Sequence, residues 1–269
     1  MEKGRFLGNG VTSEVYKWGQ DKVLKLFFEK YSTEDWVNHE ADVGHMVHQA
    51  GIDTPAVYDK VEIDGRKGII YQRIYGKSIT EQLMTEPWNL YYYIQRMADL
   101  QFNIHGFSSN GLLSQKERFT FMIGCSSYLL GDREARILEY MESLPAGTSI
   151  CHGDLYFNNI IVSGAKLVPI DWNGAYIGNP LGDVARTYLM INSPTVPAGM
   201  PEAFAMFFCY PKYLASCTYL NAYLKLTDAK FEDIDAWMLP VAAARLKDNI
   251  PGEREWLLSI INDRLVKLT

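Results

Sequence analysis

The chain has 269 residues, 48% of them hydrophobic and 22% charged, which is enough to bury a sizeable core and too apolar for extensive disorder. Its 26 basic and 32 acidic residues leave a net charge of -6, which excludes the basic footprint of a nucleic-acid binder and tolerates a cationic small molecule. Four cysteines, Cys125, Cys151, Cys209 and Cys217, form no Cys-x-x-Cys pair, so reduced core thiols are expected. The first ten residues lack the apolar run of a signal peptide, and the longest apolar stretch, residues 203–209, is too short to span a bilayer. No membrane association and a cytoplasmic location are therefore expected.

Residues 5–28 read as three short strands joined by two turns, with Gly8, Gly10 and Ser13 around the first turn. Glycines there let backbone N–H groups come close to phosphate oxygens, although an ordinary β-turn explains them equally well. Lys25 alternates into the apolar run of residues 23–27, where a surface lysine would be the plain expectation. A helix is expected over residues 33–50, capped by Ser32 or Thr33 and stopped by Gly51 and Pro55. It carries Glu34 and Glu40, and His45 with His48 lack an acidic or thiol partner at ligand spacing. Two strands, residues 57–63 and 68–74, follow around the Asp64-Gly65 turn.

From Thr80 the pattern becomes helical, with a helix over residues 90–103 and more helix over 117–143, interrupted at Gly131-Asp132. Tyr91, Tyr92 and Tyr93 are expected to pack that first helix, and His105 to pack and hydrogen-bond. Residues 145–148 form a turn into CHGDLYFNNIIVSGAKLVPID, residues 151–171, which reads as loop, strand, turn, strand, acid. A hairpin brings its ends together, so Asp154, Asn159 and Asp171 are expected to share one site. A Gly-, Asn- and Pro-rich loop then feeds a helix started by Asp183. The rest is helical, broken by Pro211, Pro240 and Pro251, with acids at Glu232, Asp233 and Asp235.

His152-x-Asp154-x4-Asn159 followed by Asp171-Trp172 and Gly178-x-Pro180-x-x-Asp183 resembles the catalytic loop and metal-binding aspartate of the aminoglycoside phosphotransferase and choline kinase family. These are relatives of the protein kinases. Gly8-x-Gly10-x-x-Ser13-x-Val15 has the matching glycine-loop spacing, with Ser13 where a third glycine is usual. The resemblance covers the chain from Leu7 to about Arg186. The forms His-Arg-Asp, Asp-Phe-Gly and Ala-Pro-Glu are missing, which points away from a protein kinase.

The resemblance implies an α+β, protein-kinase-like two-lobed fold. A small antiparallel β-sheet lobe with one helix, residues 1–75, would bind nucleotide, and a larger, mainly helical lobe, residues 76–269, would hold catalytic and substrate groups. It implies ATP and Mg2+, with Asp154 as the catalytic base and Asn159 and Asp171 as metal ligands. Lys25 would grip the phosphates under Gly8, Gly10 and Ser13, Glu40 would position Lys25 with Glu34 as a competitor, and the backbone near Gln72 and Ile74 would meet the adenine. His152 and Asp183 would be structural supports. The implied reaction is γ-phosphoryl transfer to a hydroxyl of a small molecule: an aminoglycoside, choline or ethanolamine, or a sugar. Net acidity and the acids at 232–235 lean towards a cationic acceptor, and a solvated helix face explains those acids as well. A catalytically silent nucleotide-binding protein is the alternative of a different class.

Overall fold

The computed structural model describes residues 3–195 and 202–268, and for 202–211 the backbone only. The chain divides into two compact units, residues 1–82 with 157–175, and residues 83–156 with 176–269.

In the first unit, β1 (Phe6–Asn9), β2 (Ser13–Trp18), β3 (Lys22–Phe27), β4 (Val57–Ile63) and β5 (Arg66–Gln72) form one antiparallel sheet in the order β1-β2-β3-β5-β4. Strand alternation splits β3 between two apolar clusters. Leu24 and Leu26 pack with Trp18 and Ile70, while Phe27 packs with Val37 and Ala41 of α1 (Glu34–Gln49) and with Val57 and Ile69. Lys25 shares the parity of Phe27 and so faces α1. That helix starts where the sequence places it: the Thr33 hydroxyl accepts the Trp36 N–H at 3.3 Å.

The unit is completed by β6 (Lys77–Ser78) and the hairpin of β8 (Ile160–Ser163) and β9 (Lys166–Pro169), ordered β6-β8-β9. Ser163 pairs with Lys166, so the hairpin turns on two residues, and Gly164 at φ 59° supplies the left-handed backbone a tight turn needs. The short α2 (Ile79–Thr85) leads out of this sheet.

The second unit holds α3 (Leu90–Ile104), α4 (Gln115–Gly124), α5 (Ser127–Leu130), α6 (Arg133–Ser143), α7 (Pro180–Ile191), α8 (Glu202–Leu224), α9 (Phe231–Asp235), α10 (Met238–Arg245) and α11 (Arg254–Val266). Ile94, Met97, Tyr176, Tyr219 and Trp237 are fully buried within it. A two-stranded ribbon, β7 (Ser149–Cys151) against β10 (Tyr176–Gly178), accompanies these helices. The antiparallel sheet with one long helix and the mainly helical remainder are the expected α+β kinase-like architecture.

Several local expectations change. Residues 149–151 and 176–178 are strands too short to show alternation. Helix α8 runs through Pro211 instead of breaking there, and Pro240 sits in the first turn of α10, where a missing N–H costs nothing. Of the three tyrosines at 91–93 only Tyr93 is buried. Among the described cysteine side chains only Cys151 is a core thiol, since Cys125 is exposed and Cys217 half-buried; the side chains of Cys209 and Tyr210 lie outside the described residues. No helix among the described residues is long and apolar enough to cross a membrane.

Candidate active site

In the first unit, Lys25 lies between two carboxylates, with Nζ 2.6 Å from Glu40 Oε1 and 3.1 Å from Asp171 Oδ1. Burial opposes its charged form, but the carboxylates of Asp171 and Glu40 outweigh it and hold the ammonium above the ordinary lysine range. Burial raises the Glu40 carboxyl, with Lys25 acting against that rise. The Tyr71 hydroxyl donates to the same Glu40 oxygen at 3.1 Å. Glu34, the competitor, instead pairs with Lys67 at 3.4 Å on the surface, so Glu40 is the partner of Lys25.

Asn159 ends a short 3-10 turn just before β8, and Asp171 follows β9 by two residues. The Ile170 N–H donates to the Asn159 carbonyl at 2.9 Å, so the two residues sit together at the open end of the hairpin. Asp171 has left-handed backbone angles, φ 63° and ψ 67°, which cost an L-residue roughly 1–2 kcal/mol. Its side chain stays 42% exposed. A half-exposed carboxylate is a hard-oxygen donor of the kind a magnesium ion takes.

At the β1–β2 turn, the Gly10 N–H donates to the Ser13 carbonyl at 2.9 Å, and Ser13 is buried. A Cβ at Gly8 or Gly10 would meet no atom within 4 Å, so the protein's own packing does not require glycine at either position. Gln72 ends β5, and its N–H donates to the Ala56 carbonyl at 2.8 Å. Ile74, two residues on, is half-buried in the following loop. His45 and His48 are both exposed, and His48 Nδ1 contacts the Thr54 carbonyl at 3.1 Å.

In the second unit, residues 152–155 are held by side chains of α7. Asp183 Oδ1 accepts the Gly153 N–H at 2.8 Å, and Oδ2 accepts the His152 N–H at 3.2 Å, Gln101 Nε2 at 2.8 Å and His105 Nε2 at 3.1 Å. The fully buried His152 accepts the Asp154 N–H at Nδ1, 3.2 Å away. Asp154 keeps its side chain 44% exposed, with Arg186 Nη2 3.7 Å from Oδ1. Gly153 has φ 75°, a conformation that suits glycine at this bend. The helix itself starts at Pro180 under an Asn179 cap, so Asp183 acts from its fourth position as a brace of the loop and not as a cap.

His105, Cys151 and Asp183 offer ligand atoms within 4.8 Å of one another. They are not a metal centre: both ring nitrogens of His105 are taken, by Asp183 and by the Tyr223 hydroxyl at 2.7 Å, and burial pushes the Cys151 thiol well above its ordinary range. Two of the acids at 232–235 are also engaged, Asp233 with the Lys230 N–H at 2.8 Å and Asp235 with Arg264, so they say little about a cationic acceptor.

Sequence reading missed Tyr71, Thr54, Gln101 and Arg186 as parts of this arrangement. Only Arg186 left a local trace, because Asp183, Arg186 and Thr187 recur at three and four residues and share one helix face.

No curated protein matches the chain. Among solved structures, it is similar to an aminoglycoside-3'-phosphotransferase of type VIII, at 16% identity over 92% of this chain and 94% of that one, with a TM-score of 0.59. It is similar to the aminoglycoside phosphotransferase APH(3'')-Id of Streptomyces rimosus in complex with ADP and streptomycin (15% identity, 89% and 92%, TM-score 0.57). A GDP complex of aminoglycoside 2'-phosphotransferase-IIIa is similar at 13% identity over 100% and 95%, with a TM-score of 0.54. At these identities the likeness is one of fold. The model of the phosphotransferase enzyme family matches residues 3–215, most of the chain, and the protein therefore belongs to that family and is a phosphotransferase.

Proposed function

We propose that the protein is a small-molecule kinase that moves the γ-phosphoryl group of ATP to a substrate hydroxyl, with Mg2+ as its metal. The observation that carries this reading is the Lys25 ammonium held between Glu40 at 2.6 Å and Asp171 at 3.1 Å. A mostly buried lysine kept charged and fixed in position is what binding of nucleotide phosphates needs.

Lys25 takes the α- and β-phosphate oxygens, and the turn through Gly8, Gly10 and Ser13 covers them with space that no protein side chain needs. The backbone near Gln72 and Ile74 would meet the adenine. Asn159 and Asp171 would hold the metal ion, which neutralises charge on the phosphates when bound. Asp154 accepts the proton of the acceptor hydroxyl as its oxygen bonds to the γ-phosphorus. The bond from that phosphorus to the bridging oxygen breaks, and ADP leaves with the electron pair. His152 and Asp183 keep the backbone that leads into Asp154 in place.

Aminoglycosides lead the acceptor panel because solved proteins of this fold phosphorylate them, with amino alcohols and sugars next. The free thiols at Cys125, Cys151 and Cys217 suit a reducing, cytoplasmic setting. An ADP-release assay over this panel tests the reading, with GTP run beside ATP because one similar structure holds GDP. Release stimulated by a hydroxyl compound is the expected result. No stimulation by any compound with either nucleotide, from protein that binds Mg-ADP, would favour the silent binder.

A further inference from the structure

The buried Thr54 lies in the loop that follows α1, and its hydroxyl makes two hydrogen bonds whose directions are fixed by chemistry. It donates to the Pro169 carbonyl at 2.8 Å and accepts the Trp172 indole N–H at 2.8 Å. Those partners stand two residues before and one residue after Asp171. Thr54 is itself anchored, because its carbonyl contacts His48 Nδ1 in the last turn of α1 at 3.1 Å. One hydroxyl thus spans the segment in which Asp171 takes its left-handed conformation, and joins it to the helix that carries Glu40.

We propose that Thr54 is a positioning residue that holds Asp171 in that conformation, and with it the carboxylate offered to Lys25 and to the nucleotide's metal ion. The proposal rests on the reading of Asp171 as a metal ligand given above. Removing the hydroxyl would leave a buried carbonyl and a buried indole N–H without their partner, and the segment between them would turn to recover hydrogen bonds. The carboxylate would then no longer be presented in one orientation. Partners of this kind behind a metal ligand change metal affinity about 10- to 100-fold when lost.

The test measures the Mg2+ concentration that gives half of the ADP-induced rise in melting temperature, and beside it the Mg2+ concentration for half-maximal turnover. In Thr54→Val both should rise about tenfold or more. Thr54→Ser, which keeps the hydroxyl, should stay within about twofold of the parent. Trp172→Phe, which removes the indole donor together with part of the ring, should shift in the direction of Thr54→Val. A parental Mg2+ requirement in Thr54→Val, or a serine variant as impaired as the valine one, overturns the proposal. If Thr54→Val does not fold, Trp172→Phe decides, and a parental requirement there overturns it too. Asp171→Ala separates the two levels: if it keeps the Mg2+-dependent part of the shift, the metal role of Asp171 fails. If it loses that part while Thr54→Val behaves as the parent, only the role of Thr54 fails.

Discussion

Asp183 and Arg186, three residues apart on α7, take the two backbone polar groups of a single residue: Asp183 Oδ1 accepts the Gly153 N–H at 2.8 Å, and Arg186 Nε donates to the Gly153 carbonyl. The next residue, Thr187, donates its hydroxyl to the Leu155 carbonyl at 3.3 Å. A single helix face thereby holds the backbone before and after Asp154, while the Asp154 side chain remains half-exposed for a ligand.

This brace makes stability depend on acid. Burial would raise the Asp183 carboxyl, but His105, through its hydrogen bond and its charge, together with Gln101, overcomes burial and brings it from 3.8 down to about 2. A folded-state value below the unfolded one stabilises the protein at pH above about 4, and that contribution fades as pH falls from about 4 through 2. The shift corresponds to about 2 kcal/mol. Urea midpoints measured from pH 5 to 2 should fall across this window in the parent. In Asp183→Asn, whose amide would face N–H donors, stability at neutral pH should drop by about 3 kcal/mol and the slope across the window should shrink. A variant with the parent's slope would remove Asp183 from this account.

Arg186 is also held by Asp248, 2.9 Å from its Nη2, and burial leaves it no solvent to replace lost partners. Burial opposes its charge, and Asp248 and Asp154 restore it. Lysine carries the charge but not the planar fork, so it cannot serve the Gly153 carbonyl and Asp248 together. Arg186→Lys should lose about 1–3 kcal/mol of stability. Because the lost contact is to the loop that carries Asp154, kcat should fall about tenfold with the nucleotide KM unchanged. A rise in nucleotide KM with kcat intact would contradict this.

The parts that were legible in the sequence are those whose geometry is local. Asn159 with Asp171 at one hairpin end follows from two short apolar runs around Ser163-Gly164, whereas Lys25 reads as a surface lysine until α1 packs over its face of β3. Thr54 could not be found that way, because its partner Trp172 lies 118 residues along the chain and only the folded unit brings them together. Tyr71 looks like any strand tyrosine until α1 presents Glu40 to it. The expected break at Pro211 failed because a proline costs a helix one hydrogen bond, a loss of about 3 kcal/mol that packing of a long helix can absorb.

The Tyr71 hydroxyl bonds the oxygen of Glu40 that also holds Lys25, so it stiffens the pair from behind. Tyr71→Phe removes one hydrogen bond to a charged group, worth about 1.5–3 kcal/mol, part of which is expressed as a looser Lys25. Calorimetric titration with Mg-ADP should show affinity weakened about three- to tenfold, with kcat changed less. Glu40→Gln should weaken it further, since Lys25 then loses a charge partner. Unaltered affinity in both variants would detach the pair from phosphate binding.

Asp154 belongs to the unit that contains neither Lys25 nor Asp171, so a substitution there should separate turnover from nucleotide binding. Asp154→Ala takes away the carboxylate that receives the hydroxyl proton and leaves Gly153 held through its backbone by Asp183 and Arg186. General-base catalysis is worth about 10²- to 10⁴-fold, and turnover should fall by at least that much. The Mg-ADP-induced rise in melting temperature should match that of the parent, because Lys25, Glu40 and Asp171 are untouched. Asp154→Asn keeps the shape without the base and should be as inactive as the alanine variant. Phosphorylation at more than about a tenth of the parental rate in either variant would overturn the assignment of Asp154 as the base.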